Sequence, residues 1–367
     1  MLFWWLQRAA PLAGPAQEAA GDSRVFLTAR IALAALTSFV AAVALGPFAI
    51  RWLKHQKVGE RIDSASSRLN ELHASKKDTP TMGGVFVVAA IVASTLLWAD
   101  LGNRYVQIGL FIAVTFGILG AADDWVKLRT RQRGLSARGK LIGQIILAAV
   151  ASTGLYLIQR GLPLGAEVLL PFGTVTVPLG ACVIAWGAFV MVGSSNGVNL
   201  TDGLDGLATG CLVFAGAAVA GLAYVAGNRV MSDYLGAPYF AGSGELAVLT
   251  SALVGASLGF LWFNSHPAEI FMGDAGSLPL GALLSYVALA VKQELLLVVI
   301  GGVFVAETLS VILQIGGYKL TGRRLLACSP LHHHFQFRGM PETKIVVRFW
   351  IVAALLAIAG LASLKVR

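Results

Sequence analysis

Four short stretches of the chain hold side chains able to do chemistry. The first is Gly120-Ala121-Ala122-Asp123-Asp124-Trp125-Val126-Lys127, where two adjacent carboxylates follow a long apolar run. Like charges so close repel, and need a cation, a proton or basic neighbours. Consecutive helical side chains splay about 100° apart, so the pair is not expected to chelate one ion together. One could serve a metal–phosphate unit while the other does something else. The second stretch, Ser194-Ser195-Asn196-Gly197-Val198-Asn199-Leu200-Thr201-Asp202-Gly203-Leu204-Asp205-Gly206, sets Asn and Asp among glycines. That suits a turn or cap, and glycines also let backbone N–H groups approach a phosphate or a base. In the third, Asp274 stands between Gly273 and Gly276 in a loop after Phe263-Asn264. A single carboxylate there could hold Mg²⁺ with waters and phosphate oxygens. The fourth is Ser329-Pro330-Leu331-His332-His333-His334-Phe335. Consecutive histidines diverge, which makes a three-His zinc site geometrically poor. Hydrogen bonding to phosphates, or proton handling near neutral pH, suits them better.

These residues must be positioned by membrane helices. Of 367 residues 56% are hydrophobic and only 13% charged, with a mean hydropathy of +0.74. Soluble domains carry about a quarter charged residues. A spanning helix needs about 20 mostly apolar residues. Ten segments qualify, at 25–53, 81–99, 105–122, 141–159, 177–197, 207–226, 245–263, 278–291, 295–318 and 346–364. The eighth is short. None shows strand alternation, so the fold class is an all-α polytopic membrane protein of about ten transmembrane helices. Residues 25–367 form one domain. Residues 1–24, broken by Pro, Gly and acidic residues, read as an interfacial segment rather than a signal peptide. Between spans, 166–178 reads as a hairpin around Phe172-Gly173, and 228–242 as a polar linker. Cys182, Cys211 and Cys328 have no metal-ligand spacing and read as core residues.

The net charge of +9 does not point to nucleic acid, because the basic residues cluster beside apolar spans. Of 28 Lys and Arg residues, 19 lie in the connections 51–80, 123–140, 198–206, 264–277 and 319–348. The positive-inside bias puts those loops in the cytoplasm and both termini outside, on the periplasmic face. All four chemical stretches then share the cytoplasmic face, which places the active site there. Carboxylates, histidines and basic groups together are the inventory of metal-assisted phosphoryl transfer.

Thr79-Pro80-Thr81-Met82-Gly83-Gly84, the Asp123–Lys127 segment, 199–206, 271–276 and 330–335 together resemble the phospho-N-acetylmuramoyl-pentapeptide transferases, in order from about residue 50 onward. The histidine triplet is the most discriminating element. The resemblance implies a ten-helix enzyme of the bacterial cytoplasmic (inner) membrane, usually a homodimer. With Mg²⁺ it would join UDP-N-acetylmuramoyl-pentapeptide to undecaprenyl phosphate, giving lipid I and UMP. It implies that Asp123, Asp124 and Asp274 are catalytic or metal-binding, Asp274 holding the Mg²⁺, and that His332, His333 and His334 are active-site histidines. Lys76, Lys127 and Lys140 would face phosphates. Asn199, Gly203, Leu204, Asp205, Asn264 and Phe271 would line the nucleotide site. Gln336 stands where the family commonly has Glu, which puts a charge role there in doubt. A sister transferase using UDP-N-acetylglucosamine shares the Asp motifs but not the uninterrupted triplet after Pro330. A lipid-phosphate transporter would need ionisable residues near the bilayer midplane, whereas here the carboxylates cluster at one interface, with Glu307 the clearest exception.

Overall fold

The computed structural model describes Leu2, residues 26–56, Lys76, and residues 79–129, 134–171 and 175–366. The interfacial segment 1–24, Leu2 apart, and the Phe172-Gly173 turn lie outside them.

Eight helices are long and apolar enough to cross a membrane. They are α1 (Leu27–His55), α3 (Arg104–Arg129), α4 (Ala137–Gln159), α5 (Val183–Thr201, entered through a 3₁₀ turn at Gly180–Cys182), α6 (Leu207–Ala226), α8 (Glu245–Asn264), α11 (Gly302–Thr321) and α13 (Glu342–Ala362). Two shorter apolar helices, α2 (Gly84–Trp98) and α9 (Asp274–Ala290), account for the other two expected segments. Short helices α7 (Arg229–Leu235), α10 (Leu297–Ile300) and α12 (Leu331–Phe337), with a 3₁₀ turn at Ser363–Val366 after α13, are also present among the described residues. Strands β1 (Glu167–Leu169) and β2 (Thr176–Pro178) pair antiparallel where a hairpin is expected.

Several expected boundaries are corrected. Helix α3 runs on to Arg129, past the expected end of the span at residue 122, so the Asp pair lies within the helix. The ninth segment is broken at Gly301 into α10 and α11. Residues 228–242 contain α7, and Asp274 is the first residue of α9 rather than a loop residue.

Every residue of α9 is buried. At 1.5 Å per residue its 17 residues span about 25 Å, less than a hydrocarbon core of about 30 Å. Its neighbours enclose it, so lipid thickness does not constrain it. The outer helices do the reverse. Helix α1 buries Ala34, Ser38, Ala42 and Gly46 at four-residue spacing and turns Leu36, Val40 and Phe48 outward. The buried stripe is small because the partner is close. A Cβ on Gly255 of α8 would sit 2.0 Å from the Ala35 carbonyl oxygen, and one on Gly259 2.7 Å from the Ala42 Cβ. Small residues four apart on both helices let the backbones meet, as helix association in lipid requires.

The two ends of this bundle differ. At one end α1 and α8 begin and α2 finishes. There the buried Arg30 guanidinium donates to both carboxylate oxygens of Glu245, at 2.9 and 2.6 Å, and to the Trp98 carbonyl at 3.0 Å. At the other end α3, α5, α8 and α11 finish and α4, α6, α9 and α13 begin. Every candidate chemical residue lies there.

Candidate active site

The end of α3 meets the start of α9. Asp123 and Asp124 are buried on α3, and Asp274 is buried at the first position of α9. Lys127 gathers all three: its Nζ lies 2.7 Å from Asp123, 3.2 Å from Asp124 and 2.9 Å from Asp274. Lys140, from the first turn of α4, pairs with Asp274 and lies 3.7 Å from Asp123. One oxygen of each aspartate lies within 4.8 Å of the other two. The adjacent pair, expected to splay too far apart to chelate one ion easily, thus keeps one oxygen of each carboxylate close to the other and to Asp274. Lys127, three and four residues on, stands below both carboxylates, and Asp274 arrives from another helix to complete the group.

Backbone donors fix the carboxylates further. Asp124 Oδ2 accepts the Ala275 N–H at 3.0 Å, satisfying a donor that the start of α9 would leave unpaired. Asp123 Oδ1 accepts the Leu135 N–H at 2.8 Å. Gly273 takes φ +69°, and a Cβ there would lie 2.5 Å from Asp124 Oδ2, so this turn needs glycine on both counts. Asn199, inside α5 rather than after it, donates to Asp274 Oδ1 and, at 2.8 Å, to Ser277 Oγ. Three carboxylates face two ammoniums, and Lys127 is the most open, with 38% of its side chain exposed. An all-oxygen donor set of this kind suits a hard divalent ion such as Mg²⁺.

The three histidines of α12 take three different partners. His332 lies against Glu307 of α11 and over Gly203. His333 places Nδ1 2.8 Å from the Gln336 amide oxygen. His334 Nδ1 accepts the Ala327 N–H at 3.1 Å. Gln336 is thus a neutral acceptor for a histidine N–H.

A second charged group contains Lys76 and Asp205. Lys76 Nζ lies 2.6 Å from Asp205 and 2.5 Å from Glu342 at the start of α13. Asp205 Oδ2 also meets His266 Nδ1 at 3.0 Å and the Ala268 N–H at 3.1 Å. Glu342 and His266 were not legible as site residues, because their partners lie 137 and 61 positions away. Asn264 serves the fold: its amide accepts from the Gly206 N–H and the Thr209 hydroxyl and donates to the Ile270 carbonyl. Leu204 is buried. Phe271 pairs its backbone with Pro80 and Gly83, joining the 79–84 segment to the start of α9.

The arrangement offers paired carboxylates, two ammoniums and a glycine-rich turn at one helix-bundle end, which suits binding and rearranging phosphates. Comparison with known proteins gives the same direction. Residues 106–292 match the model of glycosyl transferase family 4, and residues 76–88 match signature 1 of the phospho-N-acetylmuramoyl-pentapeptide-transferases. The chain is 45% identical over 345 residues to a phospho-N-acetylmuramoyl-pentapeptide-transferase of Maridesulfovibrio salexigens, which covers 93% of this chain and 94% of that relative.

Proposed function

This chain belongs to glycosyl transferase family 4 and, within it, to the phospho-N-acetylmuramoyl-pentapeptide transferases, and we propose that the Asp123–Asp124–Asp274 end of the bundle is where it acts. The enzyme transfers phospho-N-acetylmuramoyl-pentapeptide from its UDP-activated form to undecaprenyl phosphate, giving lipid I and UMP. The observation that carries the site assignment is the convergence of three buried aspartates on Lys127.

The reaction exchanges one phosphoanhydride for another. A phosphate monoester has its second pKa near 6, so the lipid phosphate is already largely dianionic at neutral pH. One of its oxygens attacks the phosphorus that carries the sugar. The bond from that phosphorus to the bridging oxygen breaks, and UMP departs with the electron pair. This is a single in-line displacement, with no covalent enzyme. Asp123 orients the lipid phosphate and takes any residual proton. Lys127 and Lys140 supply positive charge to the diphosphate and the departing UMP. Asp274, with Asp123 and Asp124 beside it, would hold Mg²⁺, which when bound neutralises charge on the diphosphate. Asn199, Gly203, Leu204, Asp205 and Phe271 line the nucleotide side, with Lys76 reaching the phosphates.

The basic loops support a cytoplasmic site with both termini periplasmic, and membership of the family is what supports the inner membrane and a homodimer as the working unit. The test is substrate choice. Purified chain with undecaprenyl phosphate should form labelled lipid product from UDP-N-acetylmuramoyl-pentapeptide and none from UDP-N-acetylglucosamine. Product from the second sugar alone would overturn the assignment.

A further inference from the structure

Glu307 is a carboxylate inside an apolar helix, fully buried, and no step above uses it. A buried carboxylate is costly unless something offsets it. Its Oε1 accepts the backbone N–H of His332 at 3.2 Å. Its Oε2 lies 3.2 Å from His332 Nδ1, outside hydrogen-bonding geometry, so both atoms are buried and unsatisfied at that distance. A small turn of the ring would pair them. The other ring nitrogen, Nε2, is buried without a partner and rests on Gly203: a Cβ there would lie 2.3 Å away. Gly203 is therefore glycine because the His332 ring occupies its side-chain space. Gly203 lies two residues beyond α5, whose last turn carries Asn199, which holds Asp274.

We propose that Glu307 is a positioning residue for His332. Its carboxylate fixes the ring with a proton on Nδ1 and presses Nε2 against the Gly203 turn, so that one fixed ring sets the end of α5 from which Asn199 reaches Asp274. Carboxylate–histidine pairs orient catalytic and ligating imidazoles in this way. The inference rests on the transferase reading above. The bland alternative is that Glu307 only caps α12 through the His332 backbone N–H.

The experiment uses the purified full chain in lipid and reads kcat, KM and a spectroscopic signature. Glu307→Gln keeps an acceptor for the backbone N–H and removes the charge. It should lower kcat on the order of 10–100-fold, the scale of lost outer-shell support, with KM little changed. His332→Asn removes Nε2, and the double variant should fall no further than His332→Asn alone. Full kcat in Glu307→Gln, or losses that multiply in the double variant, would overturn the proposal. A second measurement needs no Glu307 variant. In ¹⁵N-histidine-labelled protein, the His332 signals, identified by their loss in His332→Asn, should show Nδ1 protonated at neutral pH. An Nδ1 without a proton would overturn the proposal. A wild-type chain with no transferase activity would end the functional reading, and the nitrogen signals would still decide this one.

Discussion

The two ends of the bundle each bury a group of charges, and they are built on different rules. At the Arg30–Glu245 end the guanidinium meets the Glu245 carboxylate through two parallel hydrogen bonds, and Glu245 also accepts the N–H of buried Asp100 at 2.9 Å. Both side chains of the pair are closed to solvent. At the other end three aspartates face two lysines, and the lysines are 38% and 18% exposed. Charge is left over, and the cations are reachable. A closed pair can only hold helices together. An unbalanced, partly open cluster keeps capacity for another ion or a phosphate, at some cost to the resting fold. The second is the one that resembles machinery.

Substitutions should separate the two ends. The largest effect is expected at Asp274. Asp274→Asn should cut turnover by on the order of 10²–10⁴-fold, the loss of a major electrostatic contribution, while the protein still inserts and folds. Unchanged turnover, or unchanged Mg²⁺ dependence in a residually active variant, would put the reaction elsewhere. Glu245→Gln removes the anion of the closed pair. It should lower unfolding stability by about 3–5 kcal/mol, with turnover per folded molecule unchanged. Denaturant titration beside an activity assay checks both parts, and a loss of kcat in the folded fraction would erase the contrast.

Next come the adjacent aspartates. Asp123→Asn and Asp124→Asn should each lose most activity, but not in the same way. Asp124 caps α9 through the Ala275 N–H and should show no pH relief. Asp123→Asn should recover partly as pH rises past the phosphate pKa near 6, where the lipid phosphate is fully dianionic unaided. A flat, dead pH–rate profile for Asp123→Asn would remove its proposed orienting role. The smallest effect belongs to Gln336→Glu. A charged acceptor for the His333 N–H strengthens one hydrogen bond by about 1 kcal/mol, so kcat should move by less than about tenfold.

The sequence carried the helices well because apolar runs of spanning length have few alternatives in lipid. Boundaries were less legible. Hydropathy stops at Ala122, yet α3 continues, since Lys127 offsets Asp123 and Asp124 one turn below and the helix has no reason to end. The same blindness hid the geometry of the site. Local spacing says two adjacent aspartates diverge. It cannot say that a third, 151 positions from the first of them, enters between two lysines. Glu342 and His266 were invisible for the same reason, being paired only through the fold. Glu307 did leave a signal, a lone carboxylate inside an apolar run, but its partner at His332 appears only when α11 and α12 pack.

The central claim is a single displacement in which lipid phosphate and nucleotide sugar meet at the aspartate–lysine end without a covalent enzyme. It is tested most directly by isotope exchange. Delipidated enzyme is mixed with UDP-N-acetylmuramoyl-pentapeptide and labelled UMP, with and without undecaprenyl phosphate, and label entering the nucleotide sugar is counted. A single displacement requires the lipid for any reversal, so exchange should appear only when undecaprenyl phosphate is present. Exchange in the lipid-free mixture would mean that the enzyme itself carries the sugar phosphate, and would contradict the account.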